Sequence, residues 1–395
     1  MLHFPTNALT RPLEDFLREV KQGPGQAMQM PVQLKWGGGV GSGVHALQIV
    51  ASWARADGSN RTLQLPVSFS DNAITRERFA STIPGMAALY FAQGIRCGDK
   101  FVDRYKALEA VAPRVAAMQS SAFRDTLRGQ GVALCCFHGA KSEFLRTLYG
   151  NPMPGEVRPV SDFRVLLPRL LEDIGPRAIG MLNEGQLDYL SALVYQLFLN
   201  ADEHGSYAPD GERYDSGIRG IVLRMTTIPS IKELVGLAGD DTPFRTYISK
   251  LGHVSQYSST GEEPKPTQRT GPTRLIEISV FDTGPGMGLR WLADKVGRRS
   301  YAEFSPEEEL EAVQTCFRKH ATTKASQYFG QGLPVAIGAM KRLNAFMSLR
   351  TGRLSLYQDF SRMDTVEFQP KNRFPKRTSL PAIAGTGYTI CFKVQ

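Results

Sequence analysis

The chain has 395 residues, 42% hydrophobic and 22% charged, with 47 Lys and Arg against 38 Asp and Glu, a formal charge of +9. That length suits two domains with their own cores, and the composition excludes a mostly disordered chain, a collagen-like fibre and a small disulfide scaffold. No apolar run approaches the ~20 residues that span a bilayer, and the first residues, Met1 to Pro5, do not open as a secretory signal does, so no membrane partner is expected. Five cysteines, two of them adjacent (Cys135 and Cys136), form no CxxC pair and read as reduced thiols of a cytoplasmic protein. The basic residues are scattered, with no run of five, so the excess charge supports nucleic acid only weakly.

In chain order, Val32–Trp36 reads as a short strand, followed by the glycine loop Gly37–Gly43, an apolar helix at Val44–Arg55 and a strand at Arg61–Val67. Helical patterns fill 75–128, and Val132–Phe137 is a continuous apolar run suited to a buried strand. This order predicts an α/β domain over residues 1–160. The glycine loop lacks the Gly-Lys-Ser/Thr ending of a P-loop, so a tight strand-to-helix turn is its expected role.

A second part spans 161–395. Leu187, Leu190, Val194 and Leu197 give Gly185–Asn200 one buried helical stripe. Leu275–Asp282 alternates as a strand. Ser305, Pro306 and Glu308 form a capping box opening a helix that runs to about Lys319, and Leu333–Leu343 is another helix. Phe346–Arg350 and Leu354–Gln358 flank a hairpin turn, and Gly387–Val394 is the last strand. Ser206–Gly217, Ser258–Pro272 and Gln369–Pro381 are polar, Pro- or Gly-containing connections.

Three motifs carry chemistry. Asn200-Ala-Asp-Glu203-His204-Gly ends the amphipathic helix, Asp282-Thr-Gly284-Pro-Gly286-Met-Gly follows the strand, and Thr322-Thr323-Lys324 precedes Gly330-Gln-Gly332-Leu333 at a helix start. A carboxylate at a strand end accepts a hydrogen bond from an exocyclic amine, and glycines allow tight turns and keep side chains away from a ring. An Asn amide oxygen suits Mg²⁺. Backbone N–H groups at a helix N-terminus suit phosphates, with the Thr hydroxyls and Lys324 beside them.

The order of these motifs resembles the GHKL superfamily, which includes gyrase B, the Hsp90-type chaperones, sensor histidine kinases and MutL. The resemblance covers about the last 230 residues. It implies an α+β sandwich, the Bergerat fold, that binds ATP with Mg²⁺. It implies Asn200 as the Mg²⁺ residue, Asp282 as the adenine reader with Gly284 and Gly286, and Gly330, Gly332 and Leu333 as the second glycine box. A mobile lid would span 288–329, with Arg318, Lys319, Thr323 and Lys324 in or beside it, and Thr386 would support the adenine contact from a neighbouring strand. His204 joins the set as part of the Asn200 motif. Residues 1–160 loosely resemble the small STAS-type modules that partner anti-sigma kinases, in layout alone.

One departure matters. Hydrolysing members carry Glu four residues before the Asn, on the same helical face, and here that position is Gln196. A neutral amide orients water but does not take its proton. Glu203 is the candidate substitute base. The expectation is therefore Mg-ATP binding with slow hydrolysis, driving a lid or a protein partner, with a homodimer allowed. The alternatives are an anti-sigma-type kinase that phosphorylates a partner protein and a MutL- or gyrase-like nucleic-acid-coupled ATPase.

Overall fold

The computed structural model describes residues 1–34, 39–56, 58, 61–152, 155–175, 177–228, 233, 236–251, 272–318, 332–362, 366–377 and 379–394. It is a mixed α/β structure. The first strands are β1 (Leu2–His3), β2 (Met28–Gln29), β3 (Thr62–Leu65), β4 (Gly94–Cys97) and β5 (Lys100–Val102), paired in that order. The first four are parallel, and β5 turns back antiparallel. Helices α1 (Thr10–Gln22) and α2 (Ser42–Ala54) make the first two crossovers. Helices α3 (Val67–Asp71), α4 (Ala73–Ala80) and α5 (Ile83–Phe91) make the third, and α6 (Arg104–Leu108), α7 (Ala112–Ser120) and α8 (Phe123–Thr126) follow.

Two expectations are corrected here. The early strand is β2, and residues 32–34 of the expected Val32–Trp36 strand are not one, because Pro31 has no N–H to extend a ladder; residues 35 and 36 lie outside the described residues. The helical stretch expected over 75–128 is broken by the β4–β5 hairpin, whose turn carries Gly98 at φ +61°.

A second sheet of seven antiparallel strands dominates the fold. Its members are β6 (Val132–Phe137), β9 (Ile218–Ile228), β10 (Thr273–Phe281), β11 (Phe346–Gly352), β12 (Leu354–Asp359), β13 (Lys371–Asn372) and β14 (Ile383–Val394), in the order β13-β12-β11-β14-β10-β9-β6. A small hairpin, β7 (Tyr149–Pro152) and β8 (Gly155–Val157), lies apart. β6 precedes residue 160 yet pairs with β9 from Val132↔Leu223 to Phe137↔Ile218. A cut at 160 would thus separate an edge strand from its sheet.

The described helices of this half include α9 (Val160–Ile174), α10 (Glu184–Gly205), α11 (Thr242–Leu251), α12 (Met287–Val296), α13 (Pro306–Cys316) and α14 (Gly332–Arg342). The expected capping box of Ser305 and Glu308 opens α13, and a second, of Asn183 and Gln186, opens α10.

Alternation along the strands sorts the two sheet faces. Thr389 lies against Gly41, Gly387 against Val44 and Gln48, and the Ser279 and Thr389 hydroxyls sit 2.8 Å apart. The odd-numbered residues of β10 and β14 therefore face α2. Ile276, Ile278 and Val280 face the other way, toward α10, and are fully buried. One contiguous apolar core runs from Leu2 to Val394 and includes α2, whose residues 43–54 are all buried.

The seam under α1 and α2 is polar. Glu14 of α1, fully buried, pairs bidentately with Arg350 of β11 (Oε1–Nε 2.6 Å, Oε2–Nη2 3.0 Å). His45 Nε2 lies 3.2 Å from Glu14 Oε1. Burial opposes the charge on Glu14, yet Arg350 and His45 hold its carboxyl down at about 2. Gln48 donates to the Arg350 and Ala384 carbonyls at 3.2 Å each, and Ser52 Oγ accepts from the Ala384 N–H at 2.8 Å. Burial pushes the Glu277 carboxyl above its usual range, against the pull of Arg224 and of the Gly41 N–H at the start of α2, so the glycine turn docks onto a protein carboxyl group.

Candidate functional site

The site is built where α10 ends over the C-terminal end of β10. α10 runs 22 residues, about 33 Å at 1.5 Å per residue, and its last residue, Gly205, rests on Asp282. A Cβ on Gly205 would collide with Asp282 Cβ, and one on Gly284 would stand 2.8 Å from Gly205 Cα. A Cβ on Gly385 would strike the Asp282 carbonyl. Of these, Gly284 alone was expected to clear space for a ring; together with Gly205 and Gly385 it lets three backbone segments close around one carboxylate.

Asp282 is 7% exposed. Its Oδ1 accepts the Gly284 N–H at 2.7 Å, and its own N–H donates to the Thr386 carbonyl at 2.9 Å. Among the described residues no side-chain donor reaches the carboxylate. Burial therefore dominates and pushes its pKa up to about 7, against the pull of the Gly284 and Thr386 N–H groups and the charge of Arg55.

Beside it, Thr386 of β14 and Thr351 of β11 bring their hydroxyls to 3.0 Å. Thr351 Oγ1 also accepts the Met287 N–H at 2.8 Å, which ties the start of α12 to the same pair. Gly286, at φ +92°, turns the chain between Asp282 and α12. Tyr301 fixes that turn by donating to the Pro285 carbonyl at 2.7 Å. Glu309 of α13 is fully buried against Gly288 and pairs with Arg353 at 2.8 Å. The described part of the expected lid, 288–318, is thus largely two packed helices anchored to the β11–β12 hairpin.

Gln196, Asn200 and Glu203 fall at i, i+4 and i+7 and share one stripe of α10. That stripe meets α14 at Gly332, where an added Cβ would collide with the Gln196 amide oxygen. The Asn200 amide hydrogen-bonds to none of the described residues. On the other side, Asp202 accepts from Tyr149 Oη at 2.6 Å and from Arg219 Nε at 2.7 Å, which fixes the rotation of the helix end.

The structure therefore brings Asp282, Gly284, Gly286 and Thr386 together, and separately Gln196 with Gly332. Leu333 is buried at the start of α14, and His204 and Glu203 are half-buried on the last turn of α10. Lys319, Thr323, Lys324 and Gly330 lie outside the described residues; Arg318 lies just past α13. No group of three or more His, Cys, Asp or Glu residues suited to a metal occurs among the described residues. Likewise, no helix among them is long and apolar enough to cross a membrane.

Sequence reasoning missed Gly205, Thr351 and Arg55. Gly205 stood in the motif without a role, Thr351 read as a turn residue, and Arg55 carried no local signal. Compared against family models, curated proteins and solved structures, the chain matches none.

Proposed function

We propose that the large sheet and its helices form a Bergerat-type, GHKL-like site that binds ATP with Mg²⁺. The observation that carries the reading is Asp282: a buried carboxylate at a strand end, enclosed by three glycines, with no side-chain donor among the described residues. Such a group suits the exocyclic amine of adenine, because that amine supplies the missing donor. The hydroxyls of Thr351 and Thr386 stand ready beside it. The fit on the metal side is an Asn200 amide oxygen on the neighbouring helix stripe. One protein oxygen is enough for Mg²⁺, which keeps waters and takes further oxygens from phosphates. When bound, the ion would neutralise phosphate charge.

Hydrolysis in this reading is slow. Gln196 lies against Gly332 and holds no proton-accepting group, and Glu203, one stripe position further, is the base that remains. The test is binding of a fluorescent ATP analogue to the full chain with Mg²⁺, followed by phosphate release. Saturable binding that ATP displaces is expected, and its absence would end the reading. Gln196→Glu is expected to raise phosphate release about 10²-fold or more, as a positioned general base does. An unchanged rate would move the base elsewhere. In the same assay, γ-labelled ATP with candidate protein partners tests phosphoryl transfer, and stimulation by DNA tests the nucleic-acid reading.

A further inference from the structure

We infer that Arg55, at the end of α2, is a positioning residue for the Asp282 site and couples the N-terminal layer to its occupancy; this rests on the adenine reading above. Arg55 approaches from the sheet face opposite α10. Its Nη1 donates to the Thr283 carbonyl, and its Nη2 donates to the Ser216 carbonyl at 2.9 Å. Its Cζ lies 3.9 Å from the centre of the Tyr214 ring. One guanidinium thus joins the turn after β10 to the turn before β9, and Thr283 Oγ1 closes the same junction by accepting the Ile218 N–H at 2.8 Å.

Among the described residues no carboxylate pairs with Arg55. The carboxylate that its field reaches is Asp282, one peptide away, which has no side-chain partner among the described residues. A cation and an anion, neither ion-paired among the described residues, sit on opposite sides of one turn. Arg55 therefore does two things: it fixes the Thr283 carbonyl, and so the direction of the adjacent carboxylate, and it favours the charged form that accepts a ligand's amine. The rest of α2 reinforces the link. Ser52 and Gln48 hold Ala384, two residues before Thr386, from the same helix. By reciprocity, a ligand that orders the Asp282 turn tightens the docking of α2.

The experiment compares wild type, Arg55→Met, Arg55→Lys and Asp282→Asn as full chains, using Mg-ATP as the probe. Arg55→Met is expected to weaken binding about tenfold and to move the pH midpoint of binding upward. Arg55→Lys restores the midpoint through its charge but not the full affinity, because an ammonium cannot hold both carbonyls as a planar fork does. The other groups facing Asp282 are Tyr388 of β14 and Tyr214, both raised by burial and neutral across this range, and Gly205 of α10. Added Mg-ATP is also expected to slow hydrogen exchange in 42–54. Wild-type affinity and midpoint in both Arg55 variants, with binding lost in Asp282→Asn, would overturn the inference and leave the site standing. Binding retained in Asp282→Asn would overturn both. Should Arg55→Met not fold, Arg55→Lys and the exchange measurement on wild type decide the question.

Discussion

Two buried carboxylates on opposite faces of the same sheet have opposite fates. Glu14 meets a bidentate Arg350 and a histidine, and its pKa falls to about 2. Among the described residues Asp282 is hydrogen-bonded by backbone N–H groups alone, with the charge of Arg55 further off, and its pKa rises to about 7. Burial is a leading influence on both, so partners decide the outcome. The compensated charge holds the N-terminal layer onto the sheet. The uncompensated one is a cost to folding, and the proposed reading gives that cost a use, since a ligand's amine would supply the donor that the described residues lack.

The largest effect is expected from breaking the compensated pair. Glu14→Ala leaves Arg350 buried and unpaired and should cost about 3–5 kcal/mol in urea unfolding. A loss below about 1 kcal/mol would show that the seam relaxes or admits water. The pH response sharpens this. A depressed carboxylate stabilises the fold fully above its unfolded pKa near 4.5, and that contribution disappears as pH falls toward about 2.

Asp282 should respond with the opposite sign. Its raised pKa means that folding is penalised increasingly between about pH 4 and pH 7, and fully above. Asp282→Asn removes that penalty while its amide oxygen still accepts the Gly284 N–H. The variant should be more stable than wild type at pH 8, on the order of 2–4 kcal/mol, with the gain vanishing at pH 4. Equal stability at both pH values would mean that the carboxylate is better solvated than its burial implies.

A smaller effect is expected at Gly205. Gly205→Ala pushes a methyl into Asp282 Cβ and should destabilise by about 1–3 kcal/mol, as overpacking does. Thermal melts alongside Gly236→Ala, where a Cβ meets nothing within 4 Å, provide the control.

Much of this was legible in the sequence where the signal is local. The capping box at Ser305, the stripe of α10, the buried run at β6 and the hairpin around Gly352 formed as their periodicity and turn chemistry dictate. The carboxylate of Asp282, with Gly284 and Gly286, was also legible, because these stand in one short motif. Long-range pairing was not. No pattern in Val132–Phe137 says that it completes a sheet with strands beyond residue 217, and nothing around Arg55 says that it reaches Thr283. Helices α9, α11 and α12 went unread, although α9 carries an apolar stripe interrupted by Pro168. The roles of Thr351 and Gly205 depend on which strands and helix ends meet, which register decides and composition does not.

The central claim is that Asp282, which has no side-chain partner among the described residues, takes one from a ligand. The most direct measurement is calorimetric titration of Mg-ATP into wild type and Asp282→Asn at pH 8, where the carboxylate is ionised. The account expects saturable binding by the wild type and a loss of at least about 100-fold in the more stable variant. Equal affinity in the two proteins would contradict it.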